Sequence, residues 1–140
     1  MAWSWTSSIS PSPEAPSVAR SFVESSMGSA YADVTVVAET CEDLVVIVSE
    51  LVTNAVQAAT TDLRVDLEIV DRIVRLAVTD AASGMPSVSG PAATDQPYGR
   101  GLAIVAALSH DWGVLPTGAA GGPAGKTVWA RLELVAPPRD

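Results

Sequence analysis

Residues 44–59 are apolar at almost every position except along one stripe. Leu44, Val45, Val46, Ile47, Val48, Leu51, Val52, Ala55 and Val56 supply the apolar surface. Asp43, Glu50, Asn54 and Gln57, advanced at about 100° per residue, fall together on one narrow line. The pattern predicts a helix over 40–60 that is packed on most of its sides. Glu50 and Asn54 then lie one turn apart on the same face. A carboxylate and a carboxamide are costly to bury on such a helix unless their stripe lines a wet or ligand-filled cavity. A catalytic base beside a metal ligand has this form.

The rest of the chain alternates on shorter periods. Trp3, Trp5 and Ile9 are spaced by small polar residues, which predicts a short edge strand over 3–9. Ser10-Pro11-Ser12-Pro13-Glu14 then carries helix-start chemistry: a Ser N-cap, Pro at the first helical position and an acid in the first turn. A first helix is expected over 13–27, with Ala15, Val18, Ala19, Phe22 and Val23 inward and Gly28 ending it; 31–38 is a weakly defined connection. Leu63, Val65, Leu67 and Ile69 alternate with Arg64, Asp66 and Glu68. Ile73, Val74, Leu76 and Val78 follow after Val70-Asp71-Arg72, a link short enough for an antiparallel hairpin. Residues 81–98 are rich in Gly, Pro, Ser and Ala and have no period. A loop of that length inside a compact domain is usually functional, often a lid. A third helix is expected over 101–109, a short strand over 112–115, a Gly/Pro/Ala loop over 117–124, and a final strand over 128–134. The order strand, two helices, two strands, helix, two strands predicts an α+β two-layer sandwich. Its sheet is mixed but mostly antiparallel, with about three helices covering one face.

Composition narrows the function classes. The chain has 140 residues, 48% of them hydrophobic, the size and content of one folded domain. We divide it into a strand or arm at 1–11, a domain at 12–135 and a tail at 136–140. The formal net charge is −8, and Lys126 is the single lysine. A nucleic-acid partner needs a basic footprint and an anionic membrane surface needs a basic patch; the chain offers neither. Cys41 is the only cysteine. It can form no internal disulfide, and the acids beside it, Glu42 and Asp43, disfavour a thiolate. No signal peptide is evident near the N-terminus, and the longest apolar run is far short of the roughly 20 residues of a membrane span. A cytoplasmic location is expected.

Four local signals carry chemistry. Glu50 and Asn54 are the first. Asp80 ends a strand and is followed by Ala81-Ala82-Ser83-Gly84. A buried carboxylate there accepts a hydrogen bond from a ligand amine, although strand-end Asp residues more commonly cap turns. Gly99-Arg100-Gly101-Leu102 enters a helix, where free amides favour anions and glycines allow close approach; a glycine-ended loop is the bland alternative. The stretch 120–127, ending Gly125-Lys126-Thr127, fits a relaxed P-loop pattern, but that motif must open a helix. Here a strand follows, and Pro123 lacks an amide, so Lys126 and Thr127 instead begin a strand bordering a site. His110, the only histidine, is given no catalytic role; at a helix end it complements the helix dipole.

Taken in order, the Glu50-Leu51-Val52-Thr53-Asn54-Ala55 helix, the strand-end Asp80 with Gly84, the lid, the Gly99-Arg100-Gly101-Leu102 helix start and the Gly125-Lys126-Thr127-Val128 strand resemble the GHKL (Bergerat-fold) ATPase family. The nearest resemblance is to the small anti-sigma factor serine/threonine kinases of bacterial partner-switching systems, and it spans about 12–134. It implies ATP and Mg²⁺ as cofactors. It implies Glu50 as general base for an acceptor hydroxyl, Asn54 as Mg²⁺ ligand and Asp80 as acceptor for the adenine amino group. Gly84 belongs to the same adenine-side loop. Gly99, Arg100 and Gly101 would form the phosphate-binding end of the lid, and Thr127 a second adenine-side contact. The implied partners are a sigma factor and a STAS-domain antagonist, with a homodimer possible; Arg20 on the first helix is a candidate contact for a partner or a second copy. The chain departs from the family pattern at Ala82, which replaces the first glycine of the adenine loop. It also departs in a lid with Arg100 but no lysine, and in Val56-Gln57 after the Asn54-Ala55 pair. These departures leave open a nucleotide-gated switch of the same fold with little kinase activity. Sensor histidine kinases share the fold, but no phosphoacceptor-histidine helix pair is expected in this chain.

Overall fold

The computed structural model describes residues 2–31, 37–59, 61–80, 97–116 and 125–134, with backbone only at 58 and 97–100. The element order is β1 (Ala2–Ile9), α1 (Ala15–Ala30), α2 (Ala38–Ala58), β2 (Leu63–Val70), β3 (Ile73–Asp80), α3 (Pro97–Leu108), β4 (Asp111–Pro116) and β5 (Lys126–Glu133). The strands form one sheet in the order β1-β2-β3-β5-β4. Every neighbouring pair among the described residues is antiparallel.

Alternation decides which side of the sheet is covered. In β2 Leu63, Val65, Leu67 and Ile69 are buried, and in β3 Val74, Leu76, Val78 and Asp80. In β5 the buried residues are Lys126, Val128, Ala130 and Leu132. Successive side chains point to opposite faces, so these twelve share one face, against which the helices pack. Fully burying a Leu, Ile or Val side chain contributes roughly 1.5–3 kcal/mol, so this face and the facing helix stripes dominate stability. The opposite face carries Arg64, Asp66, Glu68, Arg75, Thr127, Trp129 and Arg131. The result is the two-layer α+β sandwich expected from the element order.

α2 lies in the middle of the helical layer, touching α1 on one flank, α3 on the other, and β2, β3 and β5 beneath. That surrounds it, as its apolar sequence requires, except along an outer strip where Val46 is 40% exposed. α1 begins later than its Ser/Pro signal suggested. Glu14 is the N-cap without a side-chain hydrogen bond, and no acid falls in the first turn. Pro16 explains the shift. A helix starting at Pro13 would need the Pro16 amide for an internal bond, whereas a start at Ala15 puts Pro16 in the first turn, where no amide is used. α3 starts one turn earlier than expected, at Pro97, for the same reason.

Two local features fix register. The β2–β3 hairpin turns through Asp71 and Arg72, with Asp71 at φ 57°; Asp tolerates this left-handed conformation better than most residues. On the open face Gly113 of β4 lies under the Trp129 indole, where an added Cβ would be 2.9 Å from Cζ2 and Nε1. Arg75 stacks on the other reach of the same ring, 5.4 Å from its centroid. His110 is structural. Its Nδ1 accepts the Glu133 amide and its own amide donates to the Arg131 carbonyl, tying the end of α3 to β5.

Candidate functional site

Glu50 and Asn54 are both half-buried on the flank of α2 that faces α3. Ser49, one residue earlier, accepts a 2.7 Å hydrogen bond from Arg20 Nη1 of α1. This holds the α1 side of the same turn. Thr53 Oγ1 donates back to the Ser49 carbonyl at 2.6 Å. α3 reaches the pair through Gly101. A Cβ added at Gly101 would sit 2.7 Å from Glu50 Oε2 and 3.4 Å from Asn54 Nδ2. Only a residue without a side chain lets the first turns of α3 approach the carboxylate and carboxamide this closely. Gly99 and Arg100 belong to the same helical backbone. Because α3 starts at Pro97, its free amides lie before Arg100, and the Gly101 amide is used within the helix.

The second cluster lies on the sheet. Asp80 closes β3 on the helix-covered face and is 2% exposed. Its partner across the ladder is Lys126. Lys126 Nζ is 3.0 Å from Asp80 Oδ2, with side chains 10% and 2% exposed. Thr79 and Thr127, one residue along, point to the other face and share a 2.7 Å hydroxyl–hydroxyl bond. The structure thus brings Lys126, not the Thr127 side chain, beside Asp80. One signal marked Lys126 in the sequence: it has the parity of Val128, Ala130 and Leu132, so a lysine stands where the strand's buried positions run.

The two clusters share one end of the molecule. β2 starts at Leu63, shortly after α2 ends at Ala58, and Arg64 pairs with Thr79. Asp80 is therefore at the sheet end toward which α2 runs past Glu50 and Asn54. The chain leaves the sheet there at Asp80 and starts α3 at Pro97; after β4 it leaves the sheet again at Pro116 and re-enters at Lys126, the residue paired with Pro116. Gly84 and Ala82, named for the adenine-side loop, lie outside the described residues, as does most of the expected lid.

The family model of the histidine kinase-like ATPase domain matches residues 9–132. The chain belongs to this family. No curated protein matches it. Membership in the histidine kinase-like ATPases implies ATP binding, typically with Mg²⁺, and the residues present fit that ligand. The glycine-lined contact between α3 and α2 is a cradle that a Cβ would fill. Among the described residues no group of three or more His, Cys, Asp or Glu is placed to hold a metal. Mg²⁺ usually keeps phosphate oxygens and water around one or two protein ligands. Asn54 offers one neutral oxygen.

Two other groups stand apart from this chemistry. Burial, then Glu24 of α1 and Glu42, push the Cys41 thiol up, so it stays protonated and inert near neutral pH. Burial, then Glu39 and Glu42, raise the Asp43 carboxyl, the first member of the polar stripe. No helix among the described residues is long and apolar enough to cross a membrane.

Proposed function

We propose that this histidine kinase-like ATPase is a Mg-ATP-dependent protein serine/threonine kinase of the anti-sigma type, phosphorylating a STAS-domain antagonist and sequestering a sigma factor. The observation that carries the catalytic half is the Glu50 carboxylate against Gly101, in the same turn-to-turn contact as Asn54. A nucleotide held with its base at Asp80 and its phosphates at α3 would bring its terminal phosphate to this carboxylate. Phosphoryl transfer asks mainly for positioning and charge neutralisation, with a carboxylate that accepts the proton of the attacking hydroxyl. Bound Mg²⁺ supplies the neutralisation. Asn54 would hold the ion from the protein side, the start of α3 would hold phosphate oxygens, and Glu50 would orient the acceptor hydroxyl and take its proton. The partners follow from the resemblance of the whole motif series.

The test is transfer from labelled ATP to a co-purifying STAS-domain protein, with Glu50→Gln as comparison. The expected outcome is rapid labelling of serine or threonine with the natural chain and only slow residual labelling with the variant, while both bind Mg-ATP with similar affinity. Equal transfer by the two removes Glu50 from the reaction. Ala82 and the single-arginine lid motivate the second reading, a nucleotide-gated switch. It would show as Mg-ATP stabilisation with a partner bound and no phosphate transferred by either protein.

A further inference from the structure

Arg75 of β3 and Arg131 of β5 are direct cross-strand partners on the sheet face opposite the helices. Directly opposed side chains have Cβ atoms about 5 Å apart, and like charges so placed destabilise a sheet. Neither arginine belongs to the ion pairs of the described residues, Arg64–Asp66 and Lys126–Asp80. Arg75 instead lies over the Trp129 ring. Trp129 stands between Ala77 and Gly113, its partners on the two neighbouring strands, which are too small to hide it. Ile73, 39% exposed, lies one row beyond the arginines, and Leu115, 48% exposed, one row beyond Trp129. Acids border the arginine row: Glu68 beside Arg75 and Asp111 beside Arg131.

We propose that this strip docks an acidic amphipathic helix of a partner protein, which seats a carboxylate between Arg75 and Arg131 and lays apolar side chains on Trp129, Ile73 and Leu115. The chemistry fits that occupant. A guanidinium is a fork of donors and a carboxylate has about four acceptor sites, so one carboxylate can serve both arginines and cancel their repulsion. Exposed Trp and Arg flanked by aliphatic side chains are the residue types that dominate binding energy at protein interfaces. The dimensions fit as well. Rows on one face repeat about every 6.6 Å, so the strip from Ile73 to Leu115 is about 20 Å long, the length of a helix of about 13 residues. Glu68 and Asp111 stand three strand spacings apart, about 14 Å, which admits one helix about 10–12 Å across. The same two acids and the net charge of −8 repel an extended polyanion such as nucleic acid. The strip lies on the opposite side of the sheet from Asp80 and Lys126, so it depends on no property of the nucleotide site and leaves that site open.

The probe is a synthetic helical peptide of about 14 residues with leucines along one face around two central glutamates, compared with the same peptide carrying glutamines. The natural chain should bind the glutamate peptide about tenfold more tightly or better, and Arg131→Gln should abolish that preference. The peptide should shift the Trp129 indole N–H signal, identified with Trp129→Phe. In the free chain, Arg75→Gln and Arg131→Gln should be coupled. Each relieves the same repulsion, so the double variant should have a lower Tm than the sum of the single changes gives. No binding of either peptide, equal binding of both, an unmoved Trp129 signal, or additive changes in Tm would each overturn the proposal. So would tighter binding of a single-stranded oligonucleotide than of the peptide. Self-association of the natural chain that Arg131→Gln abolishes would overturn it too, by making the occupant a second copy. If Trp129→Phe does not fold, the two peptide affinities and the arginine pair decide.

Discussion

Replacing Gly101 with alanine isolates the contact on which the catalytic reading stands. The new Cβ would lie 2.7 Å from Glu50 Oε2. Comfortable separation begins at about 3.5 Å, so the carboxylate must recede by about 0.8 Å. Glu50 is half-buried and its carboxylate is the far end of a flexible side chain, so a rotamer adjustment of about 0.5–1.5 kcal/mol absorbs the clash. Position 101 is inside a helix, where Ala is favoured over Gly by about 0.8–1 kcal/mol. The two effects nearly cancel, so stability should change by less than about 1 kcal/mol and Tm by less than about 4 °C. Activity should not be spared. A displacement near 1 Å of a catalytic group costs about 10²-fold in rate. Thermal unfolding, Mg-ATP binding and single-turnover phosphate transfer measured together check this, and Glu50→Gln supplies the cycle. In the Glu50→Gln background the alanine should have no further effect on transfer, because the group it displaces no longer acts. Full transfer activity in Gly101→Ala would refute the reasoning, and so would losses that simply multiply in the double variant.

Four further outcomes follow from the same structure. Lys126→Met leaves Asp80 buried without its ammonium and should cost about 3–5 kcal/mol in chemical denaturation, most of it recovered in Asp80→Asn/Lys126→Met, which buries no charge. Asp43→Asn should raise Tm at neutral pH by the equivalent of less than about 1 kcal/mol, since the site is partly exposed. The Asp43 carboxyl is raised, so its ionised form is the disfavoured one in the folded chain. The advantage of Asn is therefore greatest above the folded-state pKa and vanishes as pH falls below the ordinary carboxylate range, which a Tm series against pH would show. Gly113→Ala meets the Trp129 ring at 2.9 Å on a paired strand, so it should destabilise by about 1–3 kcal/mol and alter tryptophan fluorescence. Cys41 should react with a disulfide reagent more slowly than a free thiol at pH 8, reaching the usual rate only after unfolding.

Much of the fold was legible because its two periods are clean. Strict alternation in 63–69 and 73–78 identified the central hairpin, and the 3.6-residue stripe in 44–59 identified α2 and both of its polar residues. Errors fell at element ends, where proline decides. Pro16 moved the start of α1 inward and Pro97 moved the start of α3 outward, because an amide that proline lacks can be spared only in a first turn. The site was less legible. Glu50 and Asn54 declared themselves as polar intrusions on an apolar helix. Lys126 made the same declaration on a strand, but next to Thr127 and inside a false P-loop pattern its parity was the only mark.

The sequence by itself determined which residues are chemically unusual: carboxylate, carboxamide and lysine at positions whose neighbours are all built for burial. It also determined the element order, which depends only on local period. The tertiary structure decided which of these residues meet. The antiparallel β3–β5 ladder sets Asp80 opposite Lys126 and turns Thr127 to the other face. The packing of α3 on α2 brings Gly101 within van der Waals reach of Glu50 and Asn54. Periodicity states which face a side chain takes, but strand register and helix approach bring together residues 46 and 51 positions apart, and no local pattern encodes that distance.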